Sequence, residues 1–160
     1  MMERSTTRSP TEERSDARPC ELTGEIAAAI DGAALRGHPL AVAFVRDNGG
    51  PSVAFRGSTY VRSPTQLAIW VRKRDTGLAA AITERPRVLL VFFETDGPGA
   101  RYLAIEGRAR IAPELDQEVY DTIVEPEHQQ DPERNGIAVV VDVDSVTGAG
   151  VNGYFQLGGD

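Results

Sequence analysis

Apolar runs with helical or strand-like spacing alternate with short polar breaks along most of the chain. From Leu22, apolar residues recur at Ile26, Ile30 and Leu35 among alanines, with Thr23 where a helix would be capped and Gly37 where it would end. The spacing predicts a helix that packs its Leu/Ile stripe on a sheet. "PLAVAFVRDNGGPSVAFRGSTYVR" reads as two strands joined at Asn48-Gly49-Gly50, residues that accept the positive φ angles of a tight hairpin turn. "QLAIWVRK" and "RVLLVFFE" are the next two strands, and between them "GLAAAITERP" predicts a short helix that Pro86 stops. "ARYLAIEGRARIA" alternates, with Leu103, Ile105, Ala109 and Ile111 on one face and Tyr102, Glu106, Arg108 and Arg110 on the other, as in an antiparallel strand with one wet face. Pro113 and "ELDQEVYDTIV" predict a third helix, with acidic residues in its first turn and Leu115, Val119 and Ile123 along one side. "EPEHQQDPERNG" reads as a polar loop and "IAVVVDVDSV" as a last strand. About six antiparallel strands with three peripheral helices predict a mainly β fold, a small barrel flanked by helices.

Residues 1–20 carry almost no large apolar side chains and mix arginine with acid, so they read as a disordered leader that contributes nothing to folding. Residues 21–160 form one domain, long enough for one core and too short for two. The 17 basic and 24 acidic residues leave a net charge of 17 − 24 = −7, which argues against general affinity for nucleic acid or anionic lipid. Lys73 is the sole lysine, so arginines carry weight only by placement. A single cysteine, Cys20, excludes an internal disulfide framework, and with His38 and His128 it makes no metal-ligand set. No apolar run approaches the ~20 residues of a membrane span, and the N-terminus lacks the apolar middle of a secretory signal; the expected setting is cytoplasmic.

Candidate chemistry concentrates between Phe55 and Ile82. Alternation on the second strand puts Ala54, Arg56, Ser58, Tyr60 and Arg62 on one face, a row of hydrogen-bond donors that is either a solvated surface or a binding face. Gly57, inside that strand, favours close approach of a ligand or another backbone. Arg72, Lys73 and Arg74 precede Asp75-Thr76-Gly77, where a helix begins, so cations and free N–H groups converge as in a phosphate site; the same cluster also serves as a solubilising turn. Trp70 stacks on a ring or sits in the core. Asp142 and Asp144 share a strand face and read as a solvated or salt-bridged edge; His38 and His128 read as surface groups. Tyr154 and Phe155 lie in a Gly-rich tail that packs on a partner subunit or over a cleft.

The succession "PSVAFRGS", "QLAIWVR", "GLAAAITERPRVLLVFF", "ARYLAIEGRARI" and "IAVVVDVDSVTG", covering Ala41 to Val146, resembles the pyridoxamine 5'-phosphate oxidase-like family of flavin-binding split barrels. The resemblance implies a homodimeric split β-barrel with FMN in each of two clefts between subunits. Carried over by position, Arg56, Gly57 and Ser58 face the flavin ring, with Trp70 beside it. Arg72, Lys73 and Arg74 surround the phosphate where Thr76 and Gly77 start the helix. A flavin supplies the redox chemistry, so no catalytic nucleophile or acid pair is required of the chain, and no metal. True pyridoxamine phosphate oxidases share a C-terminal substrate-binding arginine, and this chain has none after Arg134, so pyridoxamine phosphate is not the expected substrate.

The implied function is an FMN-dependent oxidoreductase acting on a small organic molecule. Alternatives within the wider family are a deazaflavin-dependent reductase, a flavin- or haem-binding protein without turnover, and a barrel that has lost its cofactor and uses the dimer cleft for another reaction or ligand.

Overall fold

A computed structural model describes residues 19–159. The expected leader lies outside them except for its last two residues, of which Cys20 packs, partly buried, against the core. Helix α1 (Gly24–Ile30) follows, then β1 (Leu40–Val45), β2 (Pro51–Arg56), β3 (Tyr60–Ser63), β4 (Gln66–Val71), α2 (Gly77–Ala81), β5 (Arg87–Phe93), β6 (Tyr102–Ile111), α3 (Asp116–Thr122), α4 (Glu125–Gln130), β7 (Ile137–Gly150) and β8 (Gly153–Gly158). All strand pairs are antiparallel, in the order β2-β1-β5-β6-β7-β4-β3 with β8 on β7.

The fold is the expected mainly β barrel with small helices, but the described residues hold eight strands rather than about six. Two differences account for the number. The run expected as one second strand breaks at Gly57, Ser58 and Thr59 into β2 and β3, and the tail expected as Gly-rich coil pairs with β7 as β8. The row of donors from Ala54 to Arg62 is therefore not one face of one strand. The expected first helix stops at Ile30, with a separate 3-10 turn at Ala34–Arg36, and the loop expected at "EPEHQQ" is helix α4. Pro126 in its first turn, acids beside it and His128 in its last turn are the local reasons it forms.

The break after β2 closes the barrel. β2 and β3 are separated by Gly57, Ser58 and Thr59 alone, yet they lie at opposite ends of the hydrogen-bonded path, so the sheet must curl until its edges meet. Buried Ser58 staples the seam. Its Oγ accepts from the N–H of Trp70 at 2.9 Å and donates to the Trp70 carbonyl at 3.1 Å, taking the place that β3 leaves open beside β4. At the β1–β2 hairpin, Asn48 Oδ1 accepts from the N–H of Gly50, and Gly49 takes the positive φ of 82° the turn requires.

Two cores result. The inner one joins Leu40, Val42, Leu67, Ile69, Leu90, Leu103, Ile105 and Val139 with Ile26 and Ile30 of α1. A smaller one lies on the other face of β4 and β7, where Ala68, Trp70 and Ala138 meet Val119, Tyr120 and Ile123 of the α3 segment. The Arg36 guanidinium anchors the 3-10 turn, its Nε donating to both oxygens of buried Glu94 at 3.0 Å and its Nη2 to the carbonyl of Ala29. Ser58→Ala leaves a buried N–H and a buried C=O of Trp70 unpaired at the seam. The expected cost is about 1–3 kcal/mol, seen in urea unfolding as a lower midpoint with little change in slope.

Candidate functional site

Closure sets the end of β2 beside the end of β4. Because Arg56 lies opposite Leu40 on β1, its side chain leaves β2 on the barrel's inner face, which is why it is half-buried where an arginine on the outer face would be free. A cleft of about 270 Å³ opens there, lined by Arg56, Gly57, Trp70, Arg72, Glu127 and Gln130 among others. Arg56 Nε is shut off from solvent and has no hydrogen-bond partner. The Arg56 pKa is lowered, first by burial and then by the charge of Arg72, with Glu127 acting in the opposite sense. Two arginines lining one cleft, the first of them half-buried, are an arrangement that an acceptor or anion would satisfy.

The structure thus brings Arg56, Gly57, Ser58, Trp70 and Arg72 around one cleft. Ser58 and Trp70 shape it from behind: the Ser58 hydroxyl is spent on the backbone of Trp70, and the Trp70 ring belongs to the smaller core, edge-on to Tyr120 at 5.1 Å. Lys73, Arg74, Thr76 and Gly77 are exposed, outside the lining, on the chain that leads into α2. Among the described residues Arg72, Lys73 and Arg74 form no ion pair and no side-chain hydrogen bond. α2 is only five residues long, so any pull on an anion there comes from the three cations more than from the helix dipole.

Sequence reasoning missed Glu127, Gln130 and Asp131, because their stretch reads as a polar loop. Asp131 holds the back of the cleft. One oxygen accepts from Trp70 Nε1 at 2.8 Å and from the N–H of Gly136 at 2.9 Å, the other from the N–H of Asn135 at 2.9 Å, while the Asp131 carbonyl accepts from the Tyr120 hydroxyl. Burial pushes the Asp131 carboxyl up, but these donors together with the charge of Arg72 outweigh it and hold its pKa below the usual value. His128 is not the free surface group expected. Its Nε2 meets the Tyr120 carbonyl at 2.5 Å and its Nδ1 meets Glu125 at 3.1 Å, and the ring packs 4.7 Å from that of Tyr120. Both ring nitrogens face acceptors, which only the protonated imidazolium satisfies. Its pKa is accordingly raised, chiefly by the Tyr120 carbonyl and next by Glu125.

Beyond the seam turn lies a second cleft, of about 420 Å³, lined by Asp31, Thr59, Tyr60, Arg62, Glu118 and Thr122 among others. Its Tyr60 hydroxyl is enclosed and unpartnered; burial raises the pKa of that phenol, and the neighbouring Thr122 gives its own proton to the Glu118 carbonyl. Arg62 is consumed by Glu118 and Gln66. Asp142 accepts from Gln66 and Asp144 pairs with Arg108, the salt-bridged edge that was expected. His38 is exposed. Among the described residues no group of His, Cys, Asp and Glu is placed to hold a metal ion, and no helix is long and apolar enough to cross a membrane.

No protein-family model matches the chain, and no curated protein matches it in sequence. Solved structures do match it in shape. HupZ of Group A Streptococcus is 14% identical, covers 82% of this chain and 96% of its own, and superposes with a TM-score of 0.62. A pyridoxamine 5'-phosphate oxidase-related, FMN-binding protein of Nostoc punctiforme is 16% identical over 81% of this chain and 83% of its own, with a TM-score of 0.58. An F420 reductase is 18% identical over 78% and 96%, with a TM-score of 0.56. The chain therefore has the split-barrel fold of the pyridoxamine 5'-phosphate oxidase-like proteins.

The His128 contacts carry a pH dependence. Because its folded pKa lies above the ordinary 6.5, the stabilisation is complete below that value and is lost as pH rises through the folded one. Asp131 acts in the other direction: its contribution is present above the ordinary 3.8 and is lost as pH falls through its lowered folded value. Melting temperatures measured between pH 5 and 9 should fall towards the alkaline end for the native chain, and that fall should flatten in His128→Gln.

Proposed function

We propose that the chain is an FMN-dependent oxidoreductase acting on a small organic molecule, with a deazaflavin as the alternative cofactor, and that it works as a homodimer. The observation that carries the reading is the cleft at the seam of a split barrel, where the half-buried Arg56 side chain and Arg72 line one wall together. Proteins of this fold include an FMN-binding protein and an F420 reductase. A bound flavin would supply the electron-accepting and electron-donating ring. In this assignment Arg72, Lys73 and Arg74, with the backbone at Thr76 and Gly77, hold the phosphate. Arg56 and Gly57 face the ring, and an arginine there favours charge that develops on the ring when it is reduced. Ser58 and Trp70 contribute by position. At about 270 Å³ the cleft would admit only part of a flavin, and the cations before α2, which form no ion pair among the described residues, would hold its phosphate.

The homodimer rests on a second observation. The outer face of β1, β2 and β5 is apolar and uncovered: Phe55 is 73% exposed, and Val53 and Phe93 are each 64% exposed. Cross-strand register puts Phe55 and Val53 opposite Ala41 and Ala43, and those opposite Val91 and Leu89, so these residues form one continuous patch. A groove of about 770 Å³ beside it carries Arg87 and Glu106, charges of opposite sign that suit a two-fold interface where each meets its opposite on an identical partner, while Arg108 and Asp144 there already pair within the chain. Phe55 also lines the Arg56 cleft, so a second copy on this face would finish the wall of the ligand site.

Exposure of Lys73 and Arg74 is also what a merely solvating turn would show, and that observation favours, as the second reading, a barrel without a bound phosphate. Titration of FMN and riboflavin by fluorescence quenching separates the two. Arg72→Ala should weaken FMN roughly tenfold to a hundredfold, the loss of one charge-assisted hydrogen bond, while riboflavin, which has no phosphate, changes much less. Arg72→Lys should recover only part of the loss, because an ammonium cannot grip two phosphate oxygens at once. Equal weakening of both ligands, or of neither, would favour the second reading. Light scattering at micromolar concentration should report a dimer for the native chain and a monomer for Val53→Glu or Phe93→Glu, each of which puts a charge on the apolar face.

A further inference from the structure

The polar groups of the Arg56 cleft include one that anion binding alone would reject. Glu127, carried by α4, lines it together with Arg56, Arg72 and Gln130. Its carboxylate lies directly against Gly57, where a Cβ would collide with Oε1, so the absence of a side chain at residue 57 is what lets Glu127 enter. Among the described residues the Glu127 carboxylate makes no hydrogen bond and no ion pair. A carboxylate placed in a site for a bare phosphate or carboxylate would repel the ligand. The same carboxylate is matched if the ligand presents an N–H to it, next to oxygens that the guanidinium groups can meet.

We infer that this cleft reads the imide edge of the isoalloxazine, with Glu127 accepting a hydrogen bond from the ring N–H and Arg56 donating to a neighbouring carbonyl oxygen. The inference rests on the flavin-binding reading above but not on the phosphate. A cyclic imide sets two carbonyl oxygens on either side of one N–H, so its partner must offer donors and one acceptor. Arg56 and the amide of Gln130 supply donors, and Glu127 supplies the acceptor, while Arg72 stays with the phosphate. The volume fits: about 270 Å³ is at the lower limit of ligand pockets and takes one edge of a ring system, not the whole cofactor. A deazaflavin carries the same imide edge, so the role of Glu127 is the same with either cofactor.

The test uses riboflavin and 3-methylriboflavin, whose imide nitrogen carries a methyl group in place of the proton; neither has a phosphate. Affinities by fluorescence quenching are measured for the native chain, Glu127→Ala and Glu127→Gln, with melting temperatures as the check on folding. The native chain should hold riboflavin roughly tenfold to a hundredfold tighter than the methylated form. Glu127→Ala should remove most of that preference by weakening riboflavin alone, and Glu127→Gln, which keeps a carbonyl acceptor, should restore part of it. Gly57→Ala, which pushes the carboxylate aside without removing it, should behave like Glu127→Ala. If the native chain binds both flavins equally, or if Glu127→Ala weakens both by the same factor, the role of Glu127 is overturned while the flavin reading stands. If neither riboflavin nor FMN binds the native chain, both are overturned.

Discussion

Closure of the sheet at Gly57, Ser58 and Thr59 is the constraint on which the rest of this structure depends. Strands that follow one another almost immediately in sequence sit at the two ends of the sheet, and only a curled sheet can satisfy both conditions. The curl brings the two edge strands, β2 and β3, together at the seam. At the seam β3 is too short to cover all of β4, and the Ser58 hydroxyl bonds both backbone groups of Trp70 in its place. One side chain thereby keeps the barrel closed and the turn rigid. The two clefts at the seam lie on either side of this turn and share Gly57 and Ser58 in their walls, so the candidate site is a by-product of closure.

A second layer of interactions decides which groups line that site. The smaller core on the outside of β4 and β7 draws in Tyr120, whose hydroxyl reaches the Asp131 carbonyl and whose own carbonyl receives His128. Asp131 in turn takes the indole N–H of Trp70 and two backbone N–H groups. These contacts lock α4 between the α3 segment and the start of β7. Glu127 and Gln130 reach the cleft because of that lock, and not through any strong preference of a six-residue helix, which is too short to be stable alone. Buried Asp131 is well supplied with donors, whereas Arg56 Nε meets no acceptor among the described residues.

The outer face of β1, β2 and β5 has the composition of an interior without a covering layer. α1 packs inside the barrel mouth and the α3 segment covers β4 and β7, which leaves Val53, Phe55 and Phe93 with no helix over them. On a chain with a net charge of −7 this apolar patch stands out, and it is the ground for the homodimer proposed above.

Local rules were enough for most of the elements. Strict alternation in "ARYLAIEGRARIA" and the Asn48-Gly49-Gly50 turn each act over a few residues and are found where the pattern puts them, whereas the helix expected to run to Pro86 already ends at Ala81 and the one expected from Pro113 opens with a 3-10 turn, Pro113–Leu115, before α3. The mainly β class and the split-barrel resemblance were likewise legible, because the order of strands and helices is written linearly along the chain. The break at Gly57 was not, since "VAFRGSTYVR" alternates well enough to be one strand, and only the demand for closure bends it. Helix α4 was hidden for a similar reason: "EPEHQQ" is polar throughout, and what holds it is a buried aspartate and a tyrosine that come from elsewhere in the chain. Of the candidate site, the arginines were visible by their clustering, whereas their partition was not. Register between β1 and β2 turns Arg56 inward, and the path of the chain beyond β4 leaves Lys73 and Arg74 in solvent. The sequence by itself determined most of the segments that become strands, β8 and the break between β2 and β3 excepted, and which cations stand near one another along the chain, because those are matters of short-range periodicity. Tertiary structure alone decided that Arg56, Arg72 and Glu127 share a cleft, because 55 residues separate Arg72 from Glu127 and only the curl of the sheet brings them together.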